Sequence, residues 1–74
     1  MSQRDQERIA NIYKDISENP GTTIKHIKDR IGKQNAVEWG VNELLEKGLI
    51  VKLPHKPGQS VDQKYATIRG AKNL

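Results

Sequence analysis

Residues 37–50 of this chain read VEWGVNELLEKGLI, and this stretch decides the fold. Val37, Val41 and Leu44 recur at intervals of four and three residues, which predicts the apolar face of a helix. Gly48 stands just past the last apolar residues of that face, where a left-handed glycine commonly ends a helix. Aliphatic residues follow it at once, and they favour a strand. The stretch therefore predicts a helix that ends at a glycine and leads directly into a strand.

Two further helices are predicted before this one, so that the bounds of the three are 5–18, 23–31 and 35–47. The apolar faces of the first two are formed by Ile9, Ile12, Tyr13 and Ile16 and by Ile24, Ile27 and Ile31. Thr22 or Thr23 can cap the second helix, and Gly32 can end it. Asn35 can cap the third. Gly40 predicts close packing of that helix against another, because glycine is otherwise unfavourable in a helix interior.

The remaining residues predict a β-hairpin with strands over 49–53 and 64–69. Alternation in the second strand places Ile68 on the same side as Ala66. Residues 22–23 can add a short third strand, and residues 70–74 are expected to be a frayed tail. The 74 residues are therefore expected to form one α+β domain. Truncation of its buried Leu44 to alanine is expected to cost about 2–5 kcal/mol.

This order of helix, short helix, glycine-containing turn, helix and hairpin resembles that of a winged helix-turn-helix domain. Residues 37–50 resemble the recognition helix and first wing strand of MarR- and ArsR-type regulators. The apolar and glycine positions of that pattern are filled here by Val37, Val41, Leu44, Gly48, Leu49 and Ile50. The likeness covers about residues 5–69, and it is to a minimal regulator without dimerisation helices. It implies a winged-helix fold and sequence-specific binding of double-stranded DNA in transcription regulation.

The net positive charge of the chain is concentrated in its last third. Residues 1–47 hold eight basic and eight acidic side chains, whereas residues 48–74 hold five basic side chains and one acidic one. The whole net charge of +4 therefore lies in the predicted hairpin and tail. Such an asymmetry indicates a polyanionic partner, most often nucleic acid.

The resemblance and the helical phase together select the candidate DNA contacts. The outward face of the third helix and the turn before it supply Lys33, Gln34, Asn35, Glu38, Trp39 and Asn42. The wing supplies Lys52, His55, Lys56 and Lys64, and the start of the second helix supplies Thr22, Thr23 and Lys25. Asparagine and glutamine pair with adenine, glutamate accepts from cytosine, and lysines meet phosphates. We expect Lys56→Ala to reduce the slope of log affinity against log salt by about 1.

Trp39 lies opposite the apolar face of the third helix on this phase. It could contact a base or sugar, contact a partner protein, or be sheltered by the wing or a second subunit. Its position opposite that face predicts that Trp39→Ala leaves the stability of the isolated domain nearly unchanged. The alternative to DNA binding is a protein-interaction winged helix that docks through Trp39 and the acidic side chains of the third helix. The third possibility is DNA binding without regulation, as in replication or packaging. A merely solvated helix face is also weighed against these functions, and Glu38, Glu43 and Glu46 favour it.

The inventory of reactive side chains argues against an enzyme. The chain has no cysteine, and its two histidines, His26 and His55, are far apart in sequence. No glycine-rich phosphate-binding motif is present, so we expect no catalytic residue, no metal, no cofactor and no small-molecule effector. The polar N-terminus and a longest aliphatic run of residues 49–51 predict a soluble, cytoplasmic protein without a membrane partner. A homodimer is left open.

Overall fold

The computed structural model describes residues 3–32, 34–54 and 62–72, with the backbone alone for residues 34 and 35. The described elements are α1 Gln3–Glu18, β1 Thr22–Thr23, α2 Ile24–Ile31, α3 Gln34–Glu46, β2 Ile50–Lys52, β3 Lys64–Thr67 and α4 Ile68–Lys72. The predicted α+β class is confirmed, since helices pack against a small antiparallel sheet.

The sheet has three strands in the order β1-β3-β2. On one side of β3, Thr22 pairs with Tyr65; on the other, Ile50 pairs with Thr67. The predicted third strand at Thr22–Thr23 is therefore confirmed. It ties the segment between α1 and α2 to the hairpin, although the two are far apart in sequence.

The core is aliphatic except for Tyr65, and the faces predicted for α1, α2 and α3 meet in it. The buried cluster consists of Ile9, Ile12, Ile16, Ile27, Val37, Val41, Leu44, Ile50 and Tyr65. Gly40 allows α3 to approach α1 closely, because a Cβ atom there would overlap Cδ1 of Ile12. The close helix packing predicted from Gly40 is therefore confirmed.

Local hydrogen bonds end the helices at the predicted residues. Thr23 caps α2, where its hydroxyl oxygen accepts from the backbone N–H of His26 at 3.3 Å. Gly32 ends the same helix with φ of 77°. Gly48 has φ of 72° and donates to the carbonyl of Leu45, and the N–H after it donates to the carbonyl of residue 44. These two bonds form a Schellman motif at the predicted glycine, which turns the chain from α3 into β2.

The end of the chain differs from the prediction. Residues 68–72 form α4, so the strand predicted over 64–69 ends at Thr67, and the prediction of a frayed tail is wrong for residues 70–72. The cause is a capping bond, in which the backbone N–H of Gly70 donates to the hydroxyl of Thr67 at 3.0 Å. Ile68 consequently lies 46% exposed on α4, not beside Ala66 in the sheet. Residues 73 and 74 lie outside the described residues.

Two smaller differences concern α1 and α3. Tyr13, predicted on the apolar face of α1, is 38% exposed because it lies at the edge of that face. Helix α3 begins at Gln34, so Asn35 lies in its first turn and not at the predicted N-cap. No helix in the described ranges is long and apolar enough to cross a bilayer.

Candidate functional site

The outer face of α3 is exposed and polar. Glu38 and Asn42 project from it, because the side chains of Val37, Val41 and Leu44 are fully buried on the opposite side. The predicted register of the helix is therefore confirmed. The face presents a carboxylate and an amide, which together can accept and donate hydrogen bonds.

Helix α2 supplies cations beside this face. The Nζ atom of Lys28 lies 3.2 Å from Oε1 of Glu38, and the Glu38 side chain is 62% exposed. The ion pair offsets the negative charge that α3 would otherwise present at that point. Lys25 is exposed one turn earlier on α2.

A groove runs between α2, α3 and the base of the β2–β3 hairpin. Its walls are formed by Ile24, Lys25, Lys28, Glu38, Asp62, Gln63 and Tyr65. The side chain of Gln63 donates to the backbone carbonyl of Leu53 at 2.8 Å, which joins the two arms of the hairpin beyond the strands. The groove therefore brings three elements that are separate in sequence to one surface, which combines charged and apolar side chains. We refer to it as the α2–α3 groove.

Tyr65 closes the inner wall of the α2–α3 groove. Burial raises the pKa of its phenol, and the nearby carboxylate of Glu38 raises that pKa further. Both causes disfavour the phenolate. The hydroxyl is therefore neutral at physiological pH and can act as a hydrogen-bond donor to a ligand in the groove.

The hairpin adds cations from both of its strands. Lys52 and Lys64 are exposed, and Lys52 pairs with Tyr65, the residue that follows Lys64. The two ammonium groups therefore belong to adjacent strands at the start of the loop. His55 and Lys56, predicted in that loop, lie outside the described residues, as does Lys33 before α3.

Thr22 and Thr23 are buried, at 6% and 8% exposure, and both hydroxyls are used within the fold. The hydroxyl of Thr23 caps α2, and that of Thr22 accepts from Nη2 of Arg30 at 2.6 Å. Arg30 also donates two bonds of 2.8 Å to Asp15, which joins α1, β1 and α2. The placement of both threonines corrects their prediction as surface contacts, whereas Lys25 remains exposed.

Trp39 also differs from its prediction. It is partly buried and packs against the core cluster. The prediction from helical phase alone, which placed it outside the core, is therefore wrong. The physical reason is that helical phase assigns Trp39 only to a face of α3, whereas its burial depends on the neighbouring elements, and α3 contacts α1, α2 and β2. Gln34 and Asn35 lie in the first turn of α3, and their side chains are not described.

The sequence analysis did not select Lys28, Asp62 or Gln63, which all line the α2–α3 groove. Lys28 carries a local signal, because it follows Lys25 by three residues and so shares its helix face. Asp62 and Gln63 carry no such local sequence signal, because only the pairing of the strands brings them close to α2. Within the described ranges, no group of three or more potential metal ligands occurs.

Comparisons with known proteins identified no relative of this chain. No family model matches the chain, and searches of curated proteins and of solved structures gave no significant match.

Proposed function

We propose that this protein binds double-stranded DNA sequence-specifically as a small transcription regulator. In this proposal the chain is a winged helix-turn-helix domain, with α3 as the recognition helix in the major groove and the β2–β3 hairpin as the wing. The order of α1, β1, α2, α3 and the hairpin, with its three-stranded antiparallel sheet, supports that comparison. The exposed surface of α3 is what supports DNA binding.

The observation that carries the proposal is an exposed polar face of α3 with cations on the neighbouring elements. Glu38 and Asn42 are exposed on α3, Lys28 of α2 pairs with Glu38, and Lys52 and Lys64 are exposed on the hairpin. Lysines on the elements next to an inserted helix are suited to the phosphates that border the groove. The central side chains are suited to base edges, with asparagine on adenine and glutamate on the cytosine amine.

The acidic side chains of α3 do not oppose this placement strongly. Glu38 is paired with Lys28, and Glu43 and Glu46 lie in the C-terminal half of the helix. A recognition helix makes its base contacts mainly with its N-terminal residues. Glu46, in the last turn, therefore lies away from the part of α3 that would enter the groove most deeply, and Glu43 is half-buried, unlike its exposed neighbour Asn42.

The rival function is a protein-interaction module that docks through Trp39 and the acids of α3. Its aromatic anchor is weakened by the packing of Trp39 against the core cluster. An interface anchor contributes most when its ring is free to enter a pocket on the partner. DNA binding depends less on that ring, because phosphate and base contacts come from the polar residues around it.

The test is selection of random duplexes on the purified protein, followed by fluorescence anisotropy with a selected and a scrambled duplex. Asn42→Ala should weaken binding to the selected duplex by about 1–3 kcal/mol and leave binding to the scrambled one unchanged. Asn11→Ala is the matched control, since Asn11 is exposed on α1. Failure to enrich any sequence, or equal losses for both duplexes, would contradict sequence-specific binding by α3.

A further inference from the structure

Three large apolar side chains are exposed on a surface that the proposed DNA contacts do not use. Tyr13, Leu49 and Ile68 are 38%, 44% and 46% exposed, and they are the large exposed hydrophobics of the described ranges. They come from α1, the turn after α3, and α4. Two adjoining grooves share Tyr13 and Leu49, and the second of them also includes Ile68. We call these three side chains the apolar patch.

The apolar patch continues into the core of the domain. Ile9, Ala10 and Leu44 line the first groove beside Tyr13 and Leu49. Ile9 and Leu44 belong to the buried cluster. An apolar side chain inserted at this point would therefore contact the same aliphatic residues that stabilise the fold.

The charged residues around the apolar patch all have one sign. Lys47, Arg69 and Lys72 line the two grooves, and none of the lining residues is an aspartate or glutamate. All three are exposed. The surface therefore has an apolar centre with a basic rim, to which an apolar segment bearing acidic side chains is complementary.

The capping of α4 is what creates this surface. Thr67 ends β3 and caps the helix, so that Ile68, Arg69 and Lys72 all reach the second groove. Continued strand structure would have placed Ile68 in the sheet.

We propose that the apolar patch docks an acidic amphipathic helix of a partner protein. Such a helix would insert Leu, Ile or Phe side chains between Tyr13, Leu49 and Ile68 and place Asp or Glu side chains against the basic rim. A second copy of this chain fits less well, because a symmetric contact would bring two basic rims together. The patch shares no lining residue with the α2–α3 groove, so both surfaces can be occupied at once.

The test uses three synthetic helical peptides of one design, titrated into the ¹⁵N-labelled protein and followed by NMR. The first has leucines along one face with flanking glutamates, the second has lysines in place of the glutamates, and the third has serines in place of the leucines. The first peptide should shift the amide signals of Leu49, Ile68 and Arg69 and leave those of Glu38 and Asn42 in place. The second and third should produce little change.

Variants at exposed positions then locate the contact. Ile68→Ser should weaken binding of the first peptide by about tenfold or more, as expected for a central interface residue. Lys72→Gln should also weaken it, whereas the matched control Lys25→Gln, at an exposed lysine in the α2–α3 groove, should not. The dispersion of each amide spectrum checks that the variant is folded.

Four results would overturn the proposal. The first is no shift at the patch with the acidic peptide, and the second is equal binding of the lysine peptide. The third is a dimer of the unliganded protein that Ile68→Ser dissociates, which would make a second copy the occupant. The fourth is loss of duplex binding in Lys72→Gln but not in Lys25→Gln, which would assign the basic rim to DNA.

Discussion

Gly40 illustrates how one residue sets the distance between two helices. A Cβ atom there would overlap Cδ1 of Ile12, whose side chain is only 2% exposed and has little room to move. Alanine gains about 1 kcal/mol over glycine in a helix, but overpacking a core typically costs about 1–3 kcal/mol. The packing cost is therefore expected to exceed the gain in helix propensity.

We predict that Gly40→Ala lowers the free energy of unfolding by about 1 kcal/mol, because overpacking dominates. The same substitution made together with Ile12→Val should be neutral or stabilising relative to Ile12→Val alone, since valine lacks the overlapping Cδ1 atom. Urea denaturation of the four proteins in this double-mutant cycle measures both effects. Equal effects of Gly40→Ala in the two backgrounds would show that Ile12 is not the obstacle.

Trp39 is the second position where a single side chain decides an interpretation. Its contact with the core cluster replaces the expectation that Trp39→Ala is neutral for stability. We predict a loss of about 1–3 kcal/mol, less than the 3–5 kcal/mol of a fully buried tryptophan. Asn42→Ala, at an exposed position on the same helix, should cost under about 0.5 kcal/mol. If urea unfolding gives the same small loss for both variants, the indole contributes no packing in solution.

At the scale of elements, the chain uses short polar residues to end one structure and start another. Thr23 does this between β1 and α2, and Thr67 does it between β3 and α4. Both threonines are buried, so a strand residue also serves as a helix cap. This double use explains why the sheet and the helices meet without intervening loops.

We predict that Thr67→Val destabilises the domain by about 1 kcal/mol, because valine keeps the strand-favouring shape but removes the capping oxygen. Thr67→Ser retains an oxygen and is the control for the cap. Hydrogen exchange of the Gly70 amide should accelerate in the valine variant, since that amide loses its 3.0 Å partner. Unchanged exchange at Gly70 would mean that α4 does not depend on this bond.

At the scale of the whole molecule, basic residues occur on two separate surfaces. Lys52 and Lys64 lie on the hairpin, whereas Lys47, Arg69 and Lys72 surround the apolar patch. The net charge of +4 does not distinguish between them. Salt dependence does, because each lysine that contacts a phosphate adds about 1 to the slope of log affinity against log salt.

We predict that Lys52→Ala and Lys64→Ala each reduce that slope by about 1, measured by anisotropy on a scrambled duplex. Lys72→Ala removes one positive charge from the basic rim around the apolar patch and should leave the slope unchanged. The expectation for Lys56→Ala stays a prediction of the same kind, at a residue outside the described ranges. A reduced slope for Lys72→Ala with no change for Lys64→Ala would place the duplex on the other surface.

Local sequence pattern was sufficient for α1, α2 and α3, the glycines that end α2 and α3, and the buried face of α3. These features depend on residues within one or two helical turns, so the spacing of Val37, Val41 and Leu44 contains the necessary information. The short strand at Thr22–Thr23 could also be predicted, although its partner strand is some forty residues away in sequence. There Thr22 pairs with Tyr65 and Thr23 with Lys64.

The composition of the candidate site depended on contacts between distant segments. The hydroxyl of Thr22 accepts a hydrogen bond from Arg30, Trp39 packs against the core cluster, and Gln63 reaches the groove through strand pairing. The same holds for the apolar patch, in which Tyr13, Leu49 and Ile68 meet only after α4 has formed. Periodicity assigns a side chain to one face of its own element, but burial depends on which other elements cover that face, and that requires the packed chain.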